Sequence, residues 1–242
     1  MEEFALEVKD VSISYRILNN VSIRKTLFHR RTRNEIFEAV KHVSFAVKPG
    51  GILGIIGQNG SGKSTLLRSI AGVFAPNEGT IDLHGHNISL MALGVGFKAN
   101  LTGRQNILLS GMLMGFSRQE ITDRMPEIVA FADIGDFIDR PVRTYSSGMH
   151  SKLAFSITAM LETDIMLVDE VLSVGDEQFQ RKSLAKMRQL ITDESRTVLI
   201  VSHNINTLQE LCGQVLWMHA GEARELGEPA KVLKDYTEFM AG

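Results

Sequence analysis

Two stretches of the chain carry side chains whose types and spacing suit phosphate chemistry. Gly57-Gln58-Asn59-Gly60-Ser61-Gly62-Lys63-Ser64 satisfies G-x-x-x-x-G-K-[ST] in full and leads into Thr65. Glycines let the backbone wrap closely with its N–H groups pointing inward, and a helix that starts at the lysine offers its positive end to an anion. Lys63 is placed to pair with β- and γ-phosphates, and the Ser64 hydroxyl to ligate Mg²⁺. Far along the chain, the apolar run Ile165-Met166-Leu167-Val168 ends in Asp169-Glu170. Asp169 can hold Mg²⁺ through water, and Glu170 can orient or deprotonate an attacking water. Taken alone, the first stretch is a glycine-rich turn and the second a strand running into a loop. The complete motif in a strand-to-helix setting, joined by the strand-end acids, selects the phosphate site.

Buried strands must hold these groups. Residues 52–56, 165–168 and 197–201 are short apolar runs that fit strands covered on both faces. Residues 4–15 and 43–47 also read as strands, separated by an irregular basic stretch over 16–38. Residues 48–51 form a turn, and 80–83 a strand closed by His84-Gly85-His86. Helices are expected over 63–72, across 103–132, after Ser147, over 205–211 and from about 229 to 241, with a strand at 214–219. His84 and His86 have no third ligand in view and fit a polar turn better than a metal site.

Bulk properties narrow the function. The 242 residues are 44% hydrophobic, enough for one large domain. The formal net charge of -2 argues against a protein that holds nucleic acid through phosphate contacts. A single cysteine, Cys212, excludes an intrachain disulfide and fits a reducing compartment. It reads as a small buried hydrophobe. The first residues lack a signal-peptide pattern, and no apolar stretch approaches the roughly 20 residues that span a bilayer. A membrane role is expected to come through a partner or surface contact.

On these residues the chain resembles ATP-binding-cassette ATPases over nearly its whole length. Tyr145-Ser146-Ser147-Gly148-Met149 stands where that family has its signature, usually Leu-Ser-Gly-Gly-Gln, and keeps Ser146 and Gly148. The resemblance implies a homodimer in which each ATP is clamped between one phosphate loop and the partner's signature. Ser202-His203 stands at the switch histidine, which contacts the γ-phosphate. Ser173-Val174-Gly175-Asp176 matches the dimer-contacting loop, with Asp176 in the acidic position. The family places an aromatic on adenine at the end of the first strand. Tyr15 stands there, a sheet aromatic being its competing reading, and Phe37 is a second candidate. Where the family has a Mg²⁺-binding glutamine after Val95-Gly96-Phe97, this chain has Lys98, whose ammonium cannot coordinate a metal.

Several of these departures are similar to one branch of the family, the exporters of lipid-linked polysaccharides and teichoic acids. The stretches 142–149, 169–182 and 101–107 carry that likeness. It implies a phosphate-loop α/β core with an antiparallel β-subdomain and a helical subdomain at about 97–160. It also implies ATP hydrolysis coupled to export through an integral membrane permease, with the chain peripheral on the cytoplasmic face of the cell membrane. Some O-antigen exporters carry a carbohydrate-binding extension after the cassette, and with none read in this sequence a teichoic-acid or capsule type is the expectation. A soluble cassette ATPase of translation or DNA repair fits less well, since those carry two cassettes or a long coiled-coil insertion. Arg24, Lys25, His29, Arg30, Arg31 and Arg33 make the insertion basic. It reads either as a solvated loop or as a short amphipathic helix at the anionic inner leaflet.

Overall fold

The computed structural model describes residues 4–17, 35–91, 96–169 and 176–241. In chain order its elements begin with β1 (Leu6–Ile17), β2 (Glu35–Val47), β3 (Ile52–Ile56), α1 (Lys63–Ile70), β4 (Glu78–Asp82) and β5 (Ile88–Met91). Three helices follow: α2 (Gly103–Leu113), α3 (Arg118–Ala132) and α4 (Ser147–Met160). The chain continues through β6 (Ile165–Val168), α5 (Glu177–Ile191), β7 (Thr197–Val201), α6 (Ile205–Leu211), β8 (Gln214–His219), β9 (Glu222–Gly227) and α7 (Pro229–Ala241).

Two sheets organise the molecule. The larger has the order β5-β6-β7-β3-β8-β9, parallel except for the antiparallel edge strand β9. The smaller is antiparallel in the order β2-β1-β4. The Lys41 N–H donates to the Gly221 carbonyl at 2.8 Å and joins the two sheets.

The parallel strands alternate between two cores, as a period of two requires when both faces are covered. Leu53, Ile55, Ile165, Leu167, Leu199 and Val201 face α1 and the antiparallel sheet. Ile56, Met166, Val168, Val198, Ile200 and Trp217 face the helices on the other side. A third core, with Ile107, Ile121, Ile128, Leu153 and Ile157, gathers α2, α3 and α4. Cys212 is buried in the second core, where desolvation pushes its thiol up to about 12 and leaves it inert.

The structure differs from the sequence reading at several boundaries. β1 and β2 reach Ile17 and start at Glu35, so both ends of the stretch read as irregular are strand. The helical stretch at 103–132 is two helices. Gly115, at φ 92°, ends the first, and Ser117 and Glu120 form a capping box that starts the second. Strands β5 and β9 were not expected from the sequence: β5 has 4 residues, and β9 is a polar edge. Among the described residues no helix is long and apolar enough to cross a membrane.

Candidate functional site

The phosphate loop joins β3 to α1 and is held from both sides by backbone. A Cβ on Gly62, at φ 99°, would sit 2.3 Å from the Ala39 carbonyl oxygen, so only glycine fits. A Cβ on Gly57 would lie 2.2 Å from the Met218 carbonyl oxygen. The Gly221 N–H donates to the Ser61 carbonyl at 3.2 Å. β2, β8 and the β8–β9 turn therefore wall the loop. Ser61 and Lys63 are buried, while Gln58, Asn59 and Gly60 are exposed at its rim. The Lys63 ammonium donates to the Gly57 and Gln58 carbonyls at 2.8 Å each and so lies inside the loop. Ser64 and Thr65 open the helix in half-buried positions.

Parallel register brings the other groups to the same edge. Ile55 is level with Val201, and Ile200 with Val168, across the adjacent strands β3, β7 and β6. The next residues along these strands are the phosphate loop, Ser202-His203 and Asp169. The Ser202 N–H donates to the Ile55 carbonyl at 3.3 Å, which fixes that junction. Asp169 is half-buried and His203 exposed. Carboxyl ends of adjacent parallel strands are where α/β sheets bind ligands. Glu170, Ser173, Val174, Gly175, Val95 and the basic positions between 18 and 34 lie outside the described residues.

Tyr15 and Phe37 turn out to be one feature. They are directly paired across β1 and β2, with 42% and 49% of their surfaces exposed. The Tyr15 ring meets Phe74 edge-on at 6.2 Å. Phe37 lies two residues from Ala39, whose carbonyl walls the phosphate loop. The pair is an exposed aromatic ledge beside that loop.

The signature stretch sits elsewhere, at the start of α4. Ser146 caps the helix, accepting the Met149 N–H at 3.2 Å. Tyr145, which replaces the family's leucine, donates its hydroxyl to the Phe137 carbonyl at 2.7 Å and packs against Gly103. Burial holds its phenol above the ordinary range. Ser146 and Ser147 are exposed. Among the described residues a Cβ on Gly148 would meet nothing nearer than the Ser146 hydroxyl at 3.9 Å, so none of them demands a glycine there. Asp176 caps α5 through the Phe179 N–H at 2.9 Å and pairs with the Lys152 ammonium of α4 at 2.5 Å. The Lys152 bond holds its carboxyl below the usual range. The sequence marks neither this Lys152 tie nor Ala39 and Met218 as walls, since a backbone carbonyl leaves no signal in the type of the residue that supplies it.

The Lys98 side chain is exposed, so the departure from glutamine costs no buried charge. The oxygen donors of Ser64 and Asp169 suit Mg²⁺, a hard cation that keeps several waters.

A sheet of this order, with a glycine-lined turn delivering a lysine at its carboxyl edge, defines the phosphate-loop class of α/β protein. The profile of the ABC transporter family matches residues 40–173. The O-antigen export system ATP-binding protein of Klebsiella pneumoniae is 37% identical over 246 residues, spanning 99% of this chain and 100% of the relative. The teichoic acids export ATP-binding protein of Staphylococcus epidermidis is 40% identical, over 98% of this chain and 89% of the relative. The chain belongs to the ABC transporter family. It spans about half the length of other curated relatives: 48% of the Myxococcus xanthus O-antigen export protein and 43% of the Bacillus anthracis teichoic acids export protein, at 41% and 40% identity. Among solved structures, an ATP-binding cassette captured as a post-hydrolysis dimer with ADP and Pi superposes at TM-score 0.69, covering 93% of this chain and 98% of that one. An ATP-binding subunit of an ABC transporter reaches 0.72, over 96% and 93%. Both are 21% identical and speak for the fold.

Proposed function

We propose that this chain is the ATP-hydrolysing subunit of an exporter of a lipid-linked cell-surface polymer, teichoic acid first. The observation that carries the reading is the convergence of the phosphate loop, Asp169 and His203 on one sheet edge, in a chain whose relatives are named for export. The loop from Gly57 to Thr65 binds the phosphates, Lys63 neutralises the β- and γ-oxygens, and the Tyr15–Phe37 ledge takes the adenine. Ser64 and Asp169 would hold Mg²⁺, which would supply neutralisation of the phosphate charge. Glu170 orients and deprotonates the attacking water, and His203 contacts the γ-phosphate. Ser146, Ser147, Gly148 and Asp176 act on the nucleotide of a second copy. The room around a Gly148 Cβ, which among the described residues meets only the Ser146 hydroxyl at 3.9 Å, supports a contact made between copies. The homodimer drives an integral permease from the cytoplasmic face of the membrane, and nucleic acid is not a partner.

O-antigen or capsule export is the second reading, favoured by the full-length match to the Klebsiella protein. Reconstituting the chain with its permease and offering each lipid-linked polymer separates the two by which one is translocated.

Glu170→Gln tests the chemistry. It keeps ATP binding, yields a stable ATP-bound dimer and lowers turnover at saturating Mg-ATP by at least about a hundredfold, the scale of losing a general base. Turnover near the parent removes Glu170 from that role. The basic segment is assigned to the inner leaflet, where each Lys or Arg contributes about 1 kcal/mol. Replacing Arg24, Lys25, Arg30, Arg31 and Arg33 with Ser leaves ATPase in detergent intact and removes stimulation by anionic lipid. Stimulation equal to the parent makes the segment a solvated loop.

A further inference from the structure

The turn that begins at Lys98 is tied to the signature end of α4 through one buried side chain. Asn106, on the first turn of α2, is fully buried. Its Oδ1 accepts the Lys98 backbone N–H at 2.7 Å. Its Nδ2 donates to the carbonyls of Lys98 and Leu101 at 3.1 Å each and of Thr102 at 2.9 Å. A primary amide is the side chain that offers an acceptor on one side and donors on the other, so neither an acid nor a hydrophobe satisfies this shell.

The turn held in this way is bonded to the segment that leads into the signature. The Arg143 N–H donates to the Ala99 carbonyl, and the Val142 N–H to the Leu101 carbonyl, each at 2.9 Å. Thr102 and Pro141 form an antiparallel bridge. Three residues past Arg143 the chain reaches Ser146, the α4 cap. A second tie runs through rings: Phe97 packs against His150, one turn into α4, with centroids 4.8 Å apart. Burial keeps the His150 imidazole below its ordinary pKa and favours the neutral ring.

We infer that Asn106 is a positioning residue that makes the Lys98 turn and the signature end of α4 one rigid body. A displacement at Lys98 then arrives at Ser146 and Gly148 without being absorbed by the intervening loop. The inference rests on the ATPase reading above, because the signature acts only if nucleotide is hydrolysed.

The test uses the full chain and its Asn106→Asp variant, which turns the donor end of the amide into an oxygen facing three carbonyls. Three quantities are measured: the Kd of Mg-ATP by calorimetry, steady-state turnover per nucleotide-binding site, and amide hydrogen exchange. The expected result is a Kd and KM within about twofold of the parent with kcat at least about tenfold lower, the pattern of a lost transition-state arrangement. The Lys98, Val142 and Arg143 amides gain exchange together while those of α1 do not. Parental kcat, or affinity and kcat falling in step, overturns the inference. If the variant fails to fold, the parent decides: the three amides must exchange at matched rates and shift together when ATP is added, and independent rates overturn it. A parent without ATPase activity instead defeats the functional reading, and matched exchange still tests the rigid body.

Discussion

The phosphate loop and the signature stretch are both short, glycine-containing turns ahead of a helix, yet they are held in opposite ways. The phosphate loop is enclosed: carbonyls of Ala39 and Met218 press on Gly62 and Gly57, and Gly221 bonds Ser61. Its shape is complete within one chain. The signature is anchored from behind, by the Tyr145 hydroxyl and the Ser146 cap, and its Ser146 and Ser147 are exposed. An enclosed loop is preorganised for its ligand, whereas the exposed helix end with its serine cap has no such enclosure among the described residues, which is why the proposed function has a second copy complete it.

Matched substitutions at the two glycines break this contrast if it is wrong. Gly62→Ala places a methyl group against a backbone carbonyl at positive φ. It should abolish measurable nucleotide binding in calorimetry and lower the melting temperature, the largest effect expected here. Gly148→Ala should leave nucleotide affinity unchanged and hold or raise the melting temperature, since alanine suits a helix better than glycine by about 1 kcal/mol. Equal losses at both positions would mean that the signature is enclosed too.

The smallest expected effect lies remote from both stretches, where Arg196 ties α5 to the start of β6. Arg196 is buried and pairs with Glu162 and Asp193, each at 3.0 Å. The Ser195 hydroxyl, ahead of Arg196, holds the Asp193 carboxyl down to about 2. A depressed carboxyl contributes stability that is fully present above its unfolded pKa of about 3.9 and is lost as pH falls through about 2. Thermal melts between pH 4 and 2 should therefore show the parent losing slightly more stability than Asp193→Asn, with nucleotide binding at neutral pH equal in the two. A difference that appears only above pH 5 contradicts this assignment.

The same contrast governs what was legible in the sequence. The phosphate loop was fully legible, because close backbone approach at Gly62 leaves one residue type. The buried strands β3, β6, β7 and β8 were legible because both faces are covered and the runs are apolar. The strand β9 was not: as an exposed antiparallel edge it reads EARELG, with no apolar run to betray it. The signature was legible only by its order among the other motifs, since a helix cap such as Ser146 occurs in any protein. Tyr145 falls where a contact of its hydroxyl with the Phe137 carbonyl, not local pattern, sets the residue, and nothing in the structure explains the exposed Lys98. The break between α2 and α3 was in plain view as Gly115 and the Ser117–Glu120 capping box, and the helical periodicity on either side masked it.

On the proposed function, a working site is made of one chain's phosphate loop and another's signature. Mixing two inactive variants tests it most directly. Lys63→Ala loses the charge-assisted contacts to the phosphates. Gly148→Asp sets a negative charge where, on the proposed function, the partner's nucleotide would lie, at a position where the described residues leave room for a Cβ. Each homodimer should be inactive. In the heterodimer one composite site joins the intact loop to the intact signature, so random exchange should restore about a quarter of parental turnover. A mixture no more active than its components contradicts a site shared between copies, as does a Gly148→Asp homodimer that retains parental turnover.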